Sequence, residues 1–423
     1  MRSILTMFFK LAWNSLRSRS STAILTVFSV AVSVLVLLGV DHIRHEAKRN
    51  FSQTVSGVDL IVGARTGQVN LLLYAVFHIG NATNNIDWSS YQQVANDPNV
   101  EWAIPIALGD SHRGYRVMGT SADFFTHFRY GQKQPLTLAA GRPFTGLFDV
   151  VLGAQVAAKL GYGVGDPVVL AHGLGATSFS QHDDLPFTIS GILKPTGTPM
   201  DQTLLVSLAS IEAIHVGWQN GVKMPGQSPR REALEAMDLR PRTITAFLVG
   251  LRSKMATFRL QRAINEYPRE PLMAILPGVT LTELWGTMAI VENTLQIVAW
   301  LVLFASLLGM CTMLLASLKE RQREFAILRS IGAGPLFIWL AIEMEILLMV
   351  AFGIALALLL LWSGILLLQI PVSEQWGLFL SADLIHPHTG LMLAVIMGCA
   401  VILGCVPAIR ASTQALHSTL MRR

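Results

Sequence analysis

Residues 293–318, "NTLQIVAWLVLFASLLGMCTMLLASL", contain no charged side chain, although Glu292 and Lys319 flank them directly. A helix of roughly 20 apolar residues is long enough to cross the hydrocarbon core of a bilayer. Such a helix also satisfies its own backbone hydrogen bonds, as any segment in lipid must. The stretch therefore predicts a membrane-spanning helix, and the number of similar stretches decides the fold class.

Three further windows of comparable length lack charged residues; they lie between Arg19 and Asp41, between Glu345 and Glu374, and between Asp383 and Arg410. Only 14% of the 423 residues are charged and 52% are hydrophobic, whereas about 25% are charged in an average soluble protein. We predict membrane-spanning helices at residues 20–40, 293–318, 337–369 and 389–409. The predicted fold class is an α-helical membrane protein with four transmembrane helices, one before and three after a long intervening segment.

The first window has a second interpretation, as the apolar core of a cleaved signal peptide. Its apolar stretch is longer than the roughly 7 to 15 residues usual in such peptides. It is also not followed by a small-residue cleavage site. These features favour a retained membrane helix.

Basic residues near the helix ends predict the orientation in the membrane. Residues 1–19, 319–335 and 410–423 together hold eleven Lys and Arg side chains and two acidic ones, whereas the loop 370–388 holds no Lys or Arg. Basic residues in short loops favour the cytoplasmic side. Both termini are therefore predicted to be cytoplasmic, and residues 41–290 to form a large domain on the opposite side.

Residues 1–19 place apolar side chains at helical spacing, with Lys10 and Arg17 away from that stripe. This pattern predicts an amphipathic helix lying in the cytoplasmic interface of the membrane. The alternative is that these residues simply extend the first membrane helix.

The segment 41–290 has the sequence pattern of an α+β domain. Apolar, β-branched runs bounded by Gly or Pro predict strands at residues 58–63, 150–153, 166–172, 186–193 and 243–251. Helices are predicted at residues 88–97, 203–216 and 254–266, and polar helical segments at both ends of the domain predict a stalk that prolongs the first two membrane helices. Residues 219–242, rich in Pro, Gly and charge, are predicted to form a surface excursion.

The strongest motif is "LKERQREFAILRSIGAGPLFIWLAIEME" at residues 318–345. Glu320, Arg323 and Glu324 share one helical face, on which they can form ion pairs. The Gly-Ala-Gly-Pro run at 332–335 then predicts the end of the helix. A short helix held between two membrane spans is suited to docking on a cytoplasmic partner, because its movement passes directly to both spans. An ordinary basic loop would explain the Arg residues but neither the Glu pair nor the helix stop.

This motif resembles the signature loop of FtsX-like ABC permeases, the MacB and lipoprotein-releasing Lol group of mechanotransmission transporters. In that family an E-R-x-x-E-h-A-h-L-R-x-h-G-A pattern forms the coupling helix, which predicts residues 319–335 as its counterpart. The residues that match are Glu320, Arg321, Glu324, Phe325, Ala326, Ile327, Leu328, Arg329, Ile331, Gly332 and Ala333. Arg323 lies in the same segment and joins the candidate coupling residues, while Ile331 counts only as a match to the pattern.

The resemblance extends into the outer domain, where residues 140–170 and 191–214 are similar to further family elements. It implies a Porter-like part at 57–139 plus 241–279 and a Sabre-like part at 140–218. It also implies a multi-pass protein of the inner (cytoplasmic) membrane whose outer domain is periplasmic. The implied partners are a cytoplasmic ABC ATPase dimer and a second permease copy, in a homodimer or a heterodimer, with a periplasmic adaptor or lipoprotein as a further candidate.

Motifs of enzymes and nucleotide-binding proteins do not occur in the sequence. It has no G-x-x-x-x-G-K-[ST] loop, no H-E-x-x-H and no G-x-S-x-G. The chain is therefore not predicted to be an enzyme or to hold a cofactor, and ATP and Mg would bind the partner ATPase. A net charge of +5 on 423 residues is too small to suggest a nucleic-acid binder.

Metal binding is not predicted, because the histidines that stand out occur only as the pairs His42/His45 and His386/His388, and a metal site needs three or four ligands.

Glu343 and Glu345 begin the third span. The family often carries a Glu near Glu343, which suggests a structural role that ties the coupling loop to the helix, in preference to ion transport.

Three functions remain open at this point, the third being an ATP-independent receptor or scaffold. The first is an ATP-driven permease subunit that moves its periplasmic domain to export or extract a periplasmic or lipid-anchored substrate. The second is an FtsX-type signalling subunit that activates a cell-wall hydrolase. The outer domain of that second type is usually much smaller than residues 41–290, which favours the first.

Overall fold

The computed structural model describes residues 2–54, 56–173, 183–219, 222–223, 231–376, 381–384 and 387–420. It divides into two compact units, here called the membrane unit and the α+β unit. The membrane unit comprises Met1–Glu46, Ala289–Ile370 and Leu380–Arg423, and the α+β unit comprises Ala47–Met288 and Pro371–Phe379.

Thirteen α-helices lie within the described residues. In chain order they are α1 (Arg2–Ser18), α2 (Ser20–Thr54), α3 (Gln68–Val76), α4 (Trp88–Ala95), α5 (Asp123–His127), α6 (Ala154–Leu160), α7 (Leu208–His215), α8 (Arg231–Glu235), α9 (Thr257–Asn265), α10 (Pro277–Glu320), α11 (Gln322–Ser330), α12 (Pro335–Trp376) and α13 (Pro387–Leu420). Two short 3-10 turns cover Pro199–Gln202 and Lys254–Ala256. Among these helices, α2, α10, α12 and α13 are long and apolar enough to cross a membrane.

The predicted fold class is confirmed, since one long apolar helix precedes the α+β unit and three follow it. The helices are longer than the charge-free windows: α2 continues to Thr54, α10 already begins at Pro277, and α12 continues to Trp376. Part of the predicted loop 370–388 is therefore helical. A charge-free window marks the apolar part of a helix and not the ends of its hydrogen-bonded backbone.

Residues Arg2–Ser18 form a helix of their own, α1. A turn at Arg19 separates α1 from α2, so the alternative of one continuous helix is wrong. α1 packs on α12, where the rings of Phe8 and Phe337 lie 4.8 Å apart and those of Trp13 and Phe352 lie 5.8 Å apart.

Seventeen strands lie within the described residues. They are β1 (Leu60–Ala64), β2 (Ile86–Asp87), β3 (Val100–His112), β4 (Tyr115–Thr120), β5 (Arg129–Tyr130), β6 (Gln134–Pro135), β7 (Leu138–Gly141), β8 (Asp149–Leu152), β9 (Pro167–Val168), β10 (Ala171–His172), β11 (Phe187–Leu193), β12 (Thr203–Ser207), β13 (Trp218–Gln219), β14 (Val222–Lys223), β15 (Thr243–Ile244), β16 (Ala246–Leu251) and β17 (Leu272–Ile275). The main sheet has the order β17-β1-β16-β3-β4-β12-β8-β11-β7, with β10 beside β3 and β9 beside β11.

The prediction of a helix at residues 203–216 is wrong for its first five residues, which form β12. Leu204, Leu205 and Val206 are fully buried there, between parallel β4 and antiparallel β8. An apolar run of this length fits a buried strand as well as a helix, and pairing on both sides decides for the strand.

The main sheet connects the predicted Porter-like and Sabre-like parts without a break. β4 lies in residues 57–139 and β12 in residues 140–218, and the two strands pair along Arg116–Thr120 and Thr203–Ser207. The division into these two parts stays a prediction.

The predicted surface excursion covers residues 219–242, of which 220–221 and 224–230 lie outside the described residues. One of its residues, Leu234, belongs to the core, with 0% exposure.

Gly153 lies where two backbones approach closely. Its N–H donates to the Thr203 carbonyl at 2.9 Å, and a Cβ at this position would overlap the carbonyl oxygens of Met200 and Asp201. We expect Gly153→Ala to lower the free energy of unfolding by about 1–3 kcal/mol, as overpacking does. Thermal unfolding of the purified chain measures this change. The control is Gly109→Ala, because a Cβ at Gly109 meets no atom within 4 Å; equal melting temperatures of the two variants would contradict the prediction.

Candidate functional site: the coupling segment

The predicted coupling segment, residues 319–335, contains a separate helix, α11 (Gln322–Ser330), with well-defined ends. Arg321 forms a turn between α10 and α11. At the other end, Gly332 has a φ of +97°, its N–H donates to the Arg329 carbonyl at 3.0 Å, and the Ala333 N–H donates to the Leu328 carbonyl at 3.0 Å. This pair of bonds is the Schellman arrangement, in which glycine commonly takes the left-handed position. Pro335 then begins α12, at the helix position where proline is preferred.

One face of α11 anchors the helix to the membrane unit. Phe325 is 7% exposed and belongs to the core formed by the long helices, and Leu328 packs against the same core. α11 also packs against α13. The guanidinium of Arg321 lies 5.0 Å from the centre of the Phe325 ring.

The opposite face of α11 is exposed. It carries Arg323, Glu324, Ala326 and Ile327, with Ile327 64% exposed. Ile331, one helical turn further on, is 77% exposed. A helix that is anchored on one side and shows two isoleucines and two charged residues on the other has the features of a docking surface.

A buried ion-pair cluster lies beside the anchored face. The Glu345 carboxylate in α12 is 3% exposed and accepts from Arg321 Nη1 at 2.9 Å and from Arg19 Nη2 at 2.7 Å. It also accepts from Ser15 Oγ at 3.1 Å, while Arg321 Nε donates to Glu324 at 2.9 Å. Glu345 therefore joins the turn before α11, the turn between α1 and α2, and α12.

The prediction that Glu343 ties the coupling loop to the third span is corrected by this geometry. The Glu343 carboxylate lies against Gly404 of α13, and the residue that ties the loop is Glu345. Residues two apart on a helix do not face the same side, so only one of the two glutamates can meet Arg321. Sequence reasoning named Glu345 but did not assign it this role.

The structure divides the predicted coupling residues by their exposure. Exposed side chains that could meet a partner are Glu320, Arg323, Glu324, Ala326 and Ile327. Buried or half-buried side chains that hold the segment are Arg321, Phe325, Leu328, Arg329 and Ala333. Gly332 is exposed and sets the direction of the chain.

A second constellation, which sequence reasoning missed, lies in the α+β unit. Among the described residues, the candidate ligand atoms of Asp110, His172 and His215 lie within 4.8 Å of one another. They are far apart in sequence, and only the pairing of β3 with β10 and the end of α7 bring them together. Of the histidine pairs that the sequence singled out, His42 is buried, His388 is exposed, and His386 lies outside the described residues.

The charges in this cluster support one another. Burial disfavours the ionised Asp110 carboxyl, but hydrogen bonds from His172 and His215 outweigh burial and lower the pKa of Asp110. Burial likewise disfavours the charged His215 ring, yet its hydrogen bond and attraction to Asp110 raise the pKa of His215. Asp110 is therefore a carboxylate at neutral pH.

Two family models match the chain. A MacB-like periplasmic core domain matches residues 23–266, which is more than half of the 423 residues, and an FtsX-like permease C-terminal domain matches residues 296–416. No curated protein matches the chain significantly.

Two solved structures are similar to the chain. The periplasmic region of MacB from Actinobacillus actinomycetemcomitans is 11% identical, with a TM-score of 0.34, and the alignment covers 55% of this chain and 94% of that one. The extracellular domain of the ABC-type transporter YknZ from Gram-positive bacteria is 12% identical, with a TM-score of 0.30, and the alignment covers 52% of this chain and 98% of that one. From the two family models, which together account for the α+β unit and the three helices after it, the chain belongs to the FtsX- and MacB-like family of ABC transporter permeases.

Proposed function

We propose that this permease couples ATP hydrolysis by a separate cytoplasmic ATPase dimer to movement of its α+β unit. The exposed face of α11, with Arg323, Ala326 and Ile327, docks on the ATPase. Movement of α11 then passes to the membrane helices. The nucleotide and its Mg²⁺ belong to the partner, and the permease works as a homodimer or heterodimer.

The observation that carries this proposal is the Glu345 cluster. A single carboxylate receives arginines from both sides, Arg321 at the start of α11 and Arg19 at the start of α2. A charge-assisted pair resists separation in a water-poor environment. A displacement of α11 is therefore transmitted to α12 and α2 together, as a mechanical coupling requires.

The proposed setting is the inner membrane, with both termini in the cytoplasm and the α+β unit in the periplasm. The basic residues of the terminal segments and of the α11 segment support this orientation. The work performed would be export or extraction of a periplasmic or lipid-anchored substrate, with a periplasmic adaptor or lipoprotein as a further partner. The size of the α+β unit, Ala47–Met288, favours this function over signalling to a cell-wall hydrolase.

Site-specific cross-linking tests the docking surface. A photoreactive amino acid at Ile327 is expected to capture the cognate ATPase in membranes, because this side chain is 64% exposed on the face opposite the anchor. The matched control is Leu367 of α12, an apolar residue that is 77% exposed and remote from α11 in sequence. Capture at Leu367 but not at Ile327, or labelling of Ile327 from the periplasmic side, would overturn the proposal.

A further inference from the structure

Three candidate ligand atoms converge at one point of the α+β unit. Asp110 Oδ1 lies 3.0 Å from His172 Nδ1 and 3.6 Å from His215 Nε2. The two histidine nitrogens lie 3.3 Å apart. The three atoms therefore form a nearly equilateral triangle with edges of 3.0, 3.3 and 3.6 Å.

The fold fixes this triangle from two sides. Asp110 and His172 face each other directly across the antiparallel β3–β10 pair. His215 is the last residue of α7, and its ring stacks on that of His172 with centroids 4.6 Å apart. Trp218 packs edge-on against the His172 ring at 5.0 Å. The ligand atoms are thus placed by backbone pairing and ring packing, and not by flexible side chains alone.

A hydrogen bond to the backbone sets the tautomer of His215. Its Nδ1 lies 2.7 Å from the Ile211 carbonyl oxygen, which can only accept, so Nδ1 carries the proton. If a metal ion replaces the proton on Nε2, the Nε2 lone pair faces the same point as Asp110 Oδ1 and His172 Nδ1. A backbone carbonyl that holds the distal nitrogen in this way is the usual outer-shell partner of a metal-ligating histidine.

We propose that Asp110, His172 and His215 bind a zinc ion. Zinc takes imidazole nitrogen and carboxylate oxygen at distances of about 2.0–2.1 Å in a tetrahedron, which places neighbouring ligand atoms about 3.3 Å apart. The three observed separations of 3.0, 3.3 and 3.6 Å lie around this value. Three protein ligands leave a fourth position for water or another ligand.

The chemistry of the surroundings agrees with a bound cation. Asp110 is 3% exposed, and a buried carboxylate needs a positive partner. A metal ion at the centre of the triangle would contact all three ligand atoms at once. The side chains of His172 and His215 are 24% and 34% exposed, so an ion has a path of entry from solvent.

A zinc ion at this position would also connect separate parts of the α+β unit. Asp110 lies near the end of β3, His172 in β10 and His215 at the end of α7, and each belongs to a different stretch of sequence. A metal that binds only the folded arrangement stabilises it by an amount that rises with the logarithm of the metal concentration. The site would thus stiffen the α+β unit, which is proposed above to move during ATP hydrolysis. Zinc binding itself does not depend on that proposal.

Metal titration of the full chain in detergent tests the inference. The chain is first stripped of metal by a chelator and desalted. After Zn²⁺ is added back and the excess removed, we expect one zinc per chain by elemental analysis and a higher Tm than that of the metal-free chain. Co²⁺ as a spectroscopic substitute is expected to give the strong visible absorption of a four-coordinate site. His215→Gln and, separately, Asp110→Asn are expected to lose the tight zinc and the cobalt spectrum, with at least a tenfold weaker affinity.

The control variant is His388→Ala, which removes an exposed histidine elsewhere in the chain and should leave zinc binding unchanged. Metal-free Asp110→Asn and metal-free wild type are compared for Tm, so that a folding defect is recognised before binding is measured. If His215→Gln still binds one zinc with wild-type affinity, or if wild type binds none, the assignment is wrong. Zinc lost equally from His388→Ala would also overturn it.

Discussion

Replacing Glu345 by glutamine is expected to destabilise the membrane unit by about 3–5 kcal/mol, the range observed when one partner of a buried ion pair is removed. The amide keeps the shape of the side chain but not its charge, which removes the anion that Arg19 and Arg321 share and leaves Arg321 with its bond to the exposed Glu324. These arginine side chains are only 17% and 11% exposed. Thermal or denaturant unfolding in detergent measures the loss, and we also expect ATPase binding to be weakened.

Glu343→Gln provides a matched control for this prediction. Both glutamates are buried on α12, two residues apart. Of these two, only Glu345 forms ion pairs with described residues. Neutralising Glu343 removes a buried charge, which by itself relieves a desolvation cost. We therefore expect Glu343→Gln to change stability little or to raise it. Equal losses in the two variants would show that the Glu345 cluster has no special role.

The sequence was sufficient to predict the long apolar helices and the helix stop at Gly332. Charge-free windows depend only on composition along the chain, and the Gly332 helix stop depends on a local backbone preference. Both signals are local, and no tertiary contact has to be known. The four long apolar helices were therefore predicted, and the continuation of α2 to Thr54 agrees with the predicted stalk, whereas α12 runs to Trp376, into the predicted loop 370–388.

Features set by tertiary pairing could not be predicted in the same way. Which of Glu343 and Glu345 meets Arg321 depends on the rotation of α12 about its axis, and the charge pattern does not show this rotation. The strand β12 depends on β4 and β8, its neighbours in the sheet. The triangle of Asp110, His172 and His215 arises from chain segments that share no local motif, so inspection of histidine spacing could not find it.

Replacing Gly332 by valine is expected to disconnect α11 from the ATP-driven movement. Gly332 has a φ of +97°, a region that β-branched residues avoid at a cost of about 1–3 kcal/mol. Because a Cβ here meets no atom within 4 Å, the effect is conformational strain and not a clash. The strain would loosen the Schellman turn between α11 and α12, so that displacement of α11 no longer turns α12.

The expected result is a complex that still binds its ATPase and hydrolyses ATP but whose α+β units move at least tenfold less often. Distance measurements between spin labels at Met255, which is 92% exposed, would report that movement in the reconstituted complex. Gly332→Asn should retain much of it, since asparagine tolerates the left-handed region best after glycine. Gly334→Val is the matched control, because Gly334 is also exposed and a Cβ added there would likewise meet no atom within 4 Å. Unlike Gly332, Gly334 does not have a positive φ. If the turn transmits the movement of α11, valine reduces movement of the α+β units at Gly332 but not at Gly334. Comparable movement in the two variants would show that the turn does not transmit it.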